Sequence, residues 1–317
     1  MSFHKPSLLI LGALLGCSLT LVSRADTVLA LNSPASVQSA RAVSSSPAGL
    51  PVDTVETQPP APIREAMFVA PEPAAEDLWQ RIRDGYAMKE LDSKLIKRHE
   101  KWYASHPDYV LRMTERGRRY LHYIVEEVER RGMPMEIALL PMIESAFNPG
   151  AYSVASASGI WQFIPSTGKH FGIEQNWWYD GRRDIIGATN GALDYLEKLH
   201  KQFGDWELAL AAYNWGENAV ARAQARNRSL RKPTDYSHLK MPRETQNYVP
   251  KLMAIKNIVA DPARFGLILS DIADEPYFEA VATSRHIDVK VAAELADIPM
   301  DEFLALNPGH NRPVILQ

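Results

Sequence analysis

Apolar and polar positions along the chain divide it into four textures. Residues 1–25 hold a weakly positive start at His4 and Lys5 and an apolar run from Leu8 to Leu15. From Asp26 to about Ala75 the pattern is aperiodic, dominated by Ala, Pro, Ser and Val and including Gln58-Pro59-Pro60-Ala61-Pro62. Such a stretch buries too little surface to offset its chain entropy, so 26–75 is expected to be a flexible tether. From Asp77 the period becomes helical. Leu78, Ile82 and Tyr86 recur every four residues, and Val110, Met113, Tyr120, Leu121, Ile124, Val125 and Val128 predict a long charged helix ending at Gly132. Asp184 opens a helix with Ile185, Ala188, Ala192, Leu196, Leu199 and Phe203 on one face; Asp205 caps the next, through Leu208 to Tyr213. A last helical pattern runs from Glu244 to about Ile258. No stretch alternates as a strand, so 77–268 predicts a mainly α-helical domain.

The fourth texture, over 276–317, predicts a small α+β unit. Tyr277 to Val281 reads as a short strand, followed by a helix around Val289 to Ala296, a turn at Asp297-Ile298-Pro299 and a helix from Asp301 to Leu306. A closing strand would be expected where the sequence stops at Gln317, so this unit reads as truncated or degenerate.

Composition narrows the function. A chain of 317 residues with 46% hydrophobic content is long enough for one sizeable core and a smaller unit. A formal charge of −3 offers no basic excess for neutralising phosphates, which argues against a nucleic-acid partner. Cys17 is the single cysteine, so disulfides and thiolate metal sites are excluded from the 300 residues that follow. The nine histidines show no metal-ligand spacing, and no glycine-rich phosphate loop precedes a helix; neither a metal nor a cofactor is implied.

The run Leu8 to Leu15 is too short to span a bilayer and reads as an export signal. Leu14-Leu15-Gly16-Cys17 resembles a lipobox, which would lipidate Cys17 and anchor the protein to a membrane. Ser18 in second place resembles the pattern that sorts lipoproteins to the periplasmic face of the outer membrane. Cleavage after Ser23-Arg24-Ala25 is the rival and would give a soluble periplasmic protein.

Candidate chemistry centres on the apolar segment Met135 to Phe147, opened by Pro134, whose only charges are Glu136 and Glu144. Burial raises a carboxyl pKa, and so does a place in the last turn of a helix. A Glu protonated near neutral pH can serve as a general acid toward a departing oxygen. Pro141 is expected to kink this helix. The competing reading of Glu144 is a salt-bridged structural glutamate.

Its surroundings change that balance. Glu144-Ser145-Ala146-Phe147-Asn148-Pro149, Gly159-Ile160-Trp161-Gln162-Phe163-Ile164-Pro165-Ser166-Thr167-Gly168, Ala212-Tyr213-Asn214-Trp215-Gly216-Glu217 and Glu244-Thr245-Gln246-Asn247-Tyr248-Val249 follow in order. Together they resemble the soluble-lytic-transglycosylase family over roughly 77–268. The resemblance implies a lysozyme-like fold and non-hydrolytic cleavage of the β-1,4 bond between N-acetylmuramic acid and N-acetylglucosamine in peptidoglycan. A 1,6-anhydromuramyl end would result, with Glu144 acting first as acid and then as base. It also implies that Tyr248 holds Glu144, that Ser145 supports the helix end, and that Ser153, Gln162, Tyr213 and Asn214 contact substrate. Each has an ordinary alternative, Ser145 as a local cap and Tyr213, Trp161 and Tyr248 as core aromatics.

Two departures from the family pattern, Trp215-Gly216-Glu217-Asn218 and Ser156-Ala157-Ser158, bear on subsite shape. The motifs contain no obvious second acid, in keeping with substrate assistance by an N-acetyl group, although Asp180, Asp184 and Glu217 could approach in space. Trp177-Trp178-Tyr179 reads either as a sugar-stacking patch or as core. Ala292 to Pro308 is similar to the paired helices of a LysM module, which binds N-acetylglucosamine chains. Rival functions are a hydrolytic muramidase and a non-catalytic wall-binding lipoprotein.

Overall fold

The computed structural model describes residues 7–11 and 77–316. Cys17 and the 26–75 tether lie outside the described residues. The helical domain begins with α1 (Leu78–Asp84), α2 (Lys94–Ala104), α3 (Pro107–Gly117) and α4 (Leu121–Arg130). A 3₁₀ turn at Met135–Leu139 leads into the five-residue α5 (Leu140–Glu144), and α6 (Pro165–His170) follows a long irregular connection. Then come α7 (Ile185–Phe203), α8 (Trp206–Trp215), α9 (Glu217–Ser229) and α10 (Arg243–Ala260).

Local chemistry sets several of these boundaries. Asp77, Ser93, Asp184 and Asp205 each present a side-chain oxygen to an orphan N–H of the helix they start. α7 stops at Gly204, whose φ of +69° is accessible to glycine at little cost. The amphipathic faces meet in one apolar core: Ile124, Leu139, Leu196, Ala211 and Leu252, one from each of five segments, are all fully buried.

The long charged helix expected through Gly132 is two helices instead. Gly117 ends α3, and its carbonyl accepts from Tyr120 N at 2.9 Å in the turn before α4. A Cβ on Gly117 would stand 2.9 Å from the Phe147 ring, so a tertiary contact claims this position.

At the C-terminal end, β2 (Phe278–Ala282) falls where a strand is expected and pairs in parallel with β1 (Ser7–Leu11). Beyond it, α11 (Val289–Leu295) and α12 (Met300–Leu306) are flanked by β3 (Ile287–Asp288) and β4 (Val314–Ile315). β3 and β4 pair antiparallel, and Val289 N donates to Pro313 O at 2.9 Å, so the two helices sit between two short paired strands.

Val289, Ala292, Ala293, Phe303 and Ile315 form a small core of their own, too few side chains to stabilise a fold alone. Contacts to the helical domain supplement it. Arg119 grips Glu302 with Nε at 2.9 Å and Nη2 at 2.8 Å, and Tyr120 Oη donates to Ala305 O at 2.8 Å. Among the described residues no helix is long and apolar enough to cross a membrane.

Candidate active site

The two acids of the Met135 to Phe147 segment have opposite fates. Glu136 is fully buried and its two carboxylate oxygens accept from the backbone N–H groups of Ala87 and Met88, both at 3.1 Å. Those bonds tie the loop after α1 to the 3₁₀ turn. Glu144 is half-buried at the last position of α5, with its carboxyl at the wall of a groove.

Pro141 does not kink a continuous helix. It sits in the first turn of α5, where its missing N–H is an orphan in any case, and so starts the short helix that ends at Glu144. The chain then reverses through Ala146 and Phe147, at φ of +53° and +54°. Left-handed backbone at non-glycine residues costs roughly 1–2 kcal/mol each, offset here by burial of the Phe147 ring against Gly117. Ser145 closes the reversal, its hydroxyl 3.1 Å from Ile160 O and 3.3 Å from Pro141 O.

The groove measures about 960 Å³. Ser153, Gln162, Tyr213, Asn214 and Tyr248, all singled out in the sequence, line it with Glu144; Ser145 does not. Tyr248 Oη donates to Glu144 Oε1. Tyr213 Oη donates to Trp161 O at 2.8 Å, and Asn214 Oδ1 accepts from Thr245 Oγ1 at 2.8 Å. Ser153 Oγ accepts from Ala157 N at 3.0 Å, while Gln162, at φ +52°, donates to Gly159 O at 2.9 Å. Each side chain is thus held by the protein and still borders the groove.

Burial pushes the Glu144 carboxyl up to about 7; the Tyr248 hydrogen bond and the Lys251 charge pull against it, and Glu244 adds to the rise. The Tyr213 and Tyr248 hydroxyls are raised well above their ordinary range, first by burial and then by the Glu144 charge, so both remain donors. A carboxyl poised near neutrality can give up a proton and take one back.

Other groups at this groove were given no role of their own in the sequence, although Glu244 and Asn247 lie in the last motif. Lys251 Nζ donates to Ile143 O at 2.8 Å, and Asn247 Oδ1 accepts from Arg98 and, at 2.9 Å, from His99 Nε2. Glu244 is the second carboxylate bordering it. Their signal was helical period: residues 244, 248 and 251 share one face of α10 with Tyr248 at its centre.

The other candidate acids do not border the groove. Asp180 pairs with Arg182, Asp184 caps α7, and Glu217 pairs with Lys198 at 2.9 Å. Nor does the aromatic patch: Asp180 N donates to Gly309 O and Asn311 N to Trp178 O, both at 2.8 Å, and Arg312 stacks on Trp177 at 3.9 Å. Residues 177–179 therefore hold the C-terminal unit. Trp161 is fully buried, its Nε1 donating to Thr189 Oγ1 at 2.9 Å.

The groove thus carries Glu144, a carboxyl held near neutrality, with Glu244 as its second carboxylate, on walls of mixed polar and apolar side chains. Residues 123–235 match the transglycosylase SLT domain. The chain is 38% identical over 234 residues to membrane-bound lytic murein transglycosylase D of Escherichia coli strain K12, covering 74% of this chain and 52% of that protein. It is also 42% identical over 164 residues to a putative tributyltin chloride resistance protein of Alteromonas sp. strain M-1, covering 50% of this chain and 79% of that one. The chain belongs to the transglycosylase SLT family. It spans about half the length of the membrane-bound transglycosylase D proteins it matches. Against a crystal structure of the 70 kDa soluble lytic transglycosylase of Escherichia coli the TM-score is 0.35, at 21% identity over 52% of this chain and 30% of that chain.

Proposed function

We propose that this protein is a peptidoglycan lytic transglycosylase that cleaves the β-1,4 bond between N-acetylmuramic acid and N-acetylglucosamine without water. The observation that carries the reading is Glu144, its carboxyl near 7 and hydrogen-bonded to Tyr248 at the groove wall. Protonated Glu144 donates to the glycosidic oxygen as the C1–O bond of the muramyl residue breaks. Positive charge develops at C1, and the sugar's own N-acetyl oxygen stabilises it, so no second protein carboxylate is needed. Glu144, now a carboxylate, takes the proton from the muramyl 6-hydroxyl while O6 bonds to C1. The acid is restored and a 1,6-anhydro end remains.

Tyr248 orients the carboxyl; Ser153, Gln162, Tyr213 and Asn214 border the sugar positions. Membrane-bound relatives and the Cys17 lipobox support a cell-envelope location, with a lipid anchor on the periplasmic face of the outer membrane. The two-helix C-terminal unit is proposed to be LysM-like and to contact glycan.

A hydrolytic muramidase is the second reading, favoured by one observation: Glu244 borders the same groove and could activate a water. Clearing of cell-wall suspensions by a Glu144→Gln variant tests the proposed acid. Clearing at the parental rate removes Glu144 from the chemistry.

A further inference from the structure

Lys251 has a contact that substrate binding does not explain. Its side chain leaves α10 one turn after Tyr248 and on the same face, and Nζ donates to the carbonyl of Ile143, the residue before Glu144. One helix face thus touches both the side chain of the acid and the backbone that carries it.

On either side of Ile143 other bonds hold that backbone, Ser145 Oγ donating to Ile160 O and Arg116 Nη1 to Ala146 O, both at 3.1 Å. α5 is five residues long, and the last carbonyls of a helix have no partner within it. Pro141 O is taken by Ser145 N at 3.2 Å and Phe147 N at 3.1 Å, whereas Ile143 O is taken by Lys251. The reversal at Ala146 and Phe147 follows at once, in left-handed backbone.

We propose that Lys251 is a positioning residue for Glu144: its ammonium group fixes the Ile143 carbonyl, and its positive charge favours the carboxylate once the proton has left it. The inference rests on Glu144 being the proton donor. Proton transfer to the departing oxygen leaves a negative charge in a poorly solvated place, which is costly without compensation. Lys251 supplies that compensation from the protein; burial lowers its pKa from the ordinary lysine value, and the charges of Glu144 and Glu244 oppose that fall. The other titratable or charged groups at this groove are Tyr248, Glu244 and Arg243 from α10, Tyr213 from α8, Tyr195 from α7, and Arg98 and His99 from α2. Of the three cations among these and Lys251, only Lys251 is bonded to the segment that carries the acid.

The test is kcat/KM against pH on purified peptidoglycan for the parent, Lys251→Met and Lys251→Arg. Loss of the charge should move the alkaline limb of the Lys251→Met profile upward by roughly one pH unit and lower kcat at neutral pH, with KM little changed. Lys251→Arg, which keeps charge and donor, should return the limb toward its parental position. A Lys251→Met profile that superimposes on the parent overturns the proposal. Should that variant fail to fold, Lys251→Gln, which keeps an amide donor without the charge, gives the same reading. Glu144→Gln assayed in parallel separates the two claims. An inactive Glu144→Gln beside an unshifted Lys251→Met overturns only the role of Lys251, while an active Glu144→Gln overturns the proposed function itself.

Discussion

Tyr248 donates its hydroxyl to Glu144 Oε1 across a sequence separation of 104 residues, joining the end of the shortest α-helix described to the second turn of the long α10. The bond favours the ionised form of Glu144 and opposes the larger effect of burial, leaving the carboxyl near 7. It also fixes the rotamer of the acid, since a buried phenol has few other places to turn.

Replacing Tyr248 with Phe is therefore expected to act twice. Glu144 loses an orienting donor worth roughly 1.5–3 kcal/mol, which should lower kcat about ten- to a hundredfold. The alkaline limb of the pH profile should also move upward, because a bond to the charged form has been removed. Steady-state kinetics across pH read both effects, and a fall in kcat with an unmoved limb would contradict the electrostatic part.

Glu144 should also make stability depend on pH. Its ordinary value of 4.5 is raised to about 7 in the folded protein, so between those values the folded state holds a proton that the unfolded state has released. Its contribution to stability is full below about 4.5, falls as pH rises through that window and is lost above 7. Glu144→Gln should thus gain on the parent as pH rises and level off above 7, by at most about 3 kcal/mol. Denaturant unfolding at acid and alkaline pH measures the difference.

Glu136→Gln should do the opposite kind of damage. Its two backbone bonds to Ala87 and Met88 are structural, so the variant is expected to lose roughly 1.5–3 kcal/mol of stability. The pH profile of the reaction rate should not change, because Glu136 does not border the groove. Urea unfolding together with the rate profile separates this acid from its neighbour.

Gly117→Ala places a methyl where the Phe147 ring already lies. Overpacking of this kind costs roughly 1–3 kcal/mol, and the ring it displaces anchors the reversal next to Glu144. Thermal unfolding should show the loss, and activity should fall further than stability alone accounts for.

How much was legible in the sequence follows the distance between cause and effect. Helix starts at Asp184 and Asp205 could be read because a cap acts on the next few residues. Glu144, Gln162, Tyr213, Asn214 and Tyr248 could be read because four motifs carry them in order, whereas Ser153 lies between two of those motifs. The split between α3 and α4 could not, since the glycine at the break packs on a ring thirty residues further on, nor could the role of Glu136, whose partners lie 48 and 49 residues away. Pro141 was misjudged for a related reason: whether it kinks a helix or starts one depends on where the preceding turn ends. The Trp177 to Tyr179 patch answers to Gly309 through Arg312, which no local pattern announces. Lys251 is the exception, open to view through its spacing from Tyr248.

Mass spectrometry of the muropeptides released from purified peptidoglycan tests the central claim most directly, with the parent and Glu144→Gln side by side. Anhydromuramyl ends from the parent and none from the variant are the expected result. Reducing muramic acid ends from the parent, or anhydro ends from the variant at the parental rate, would contradict it.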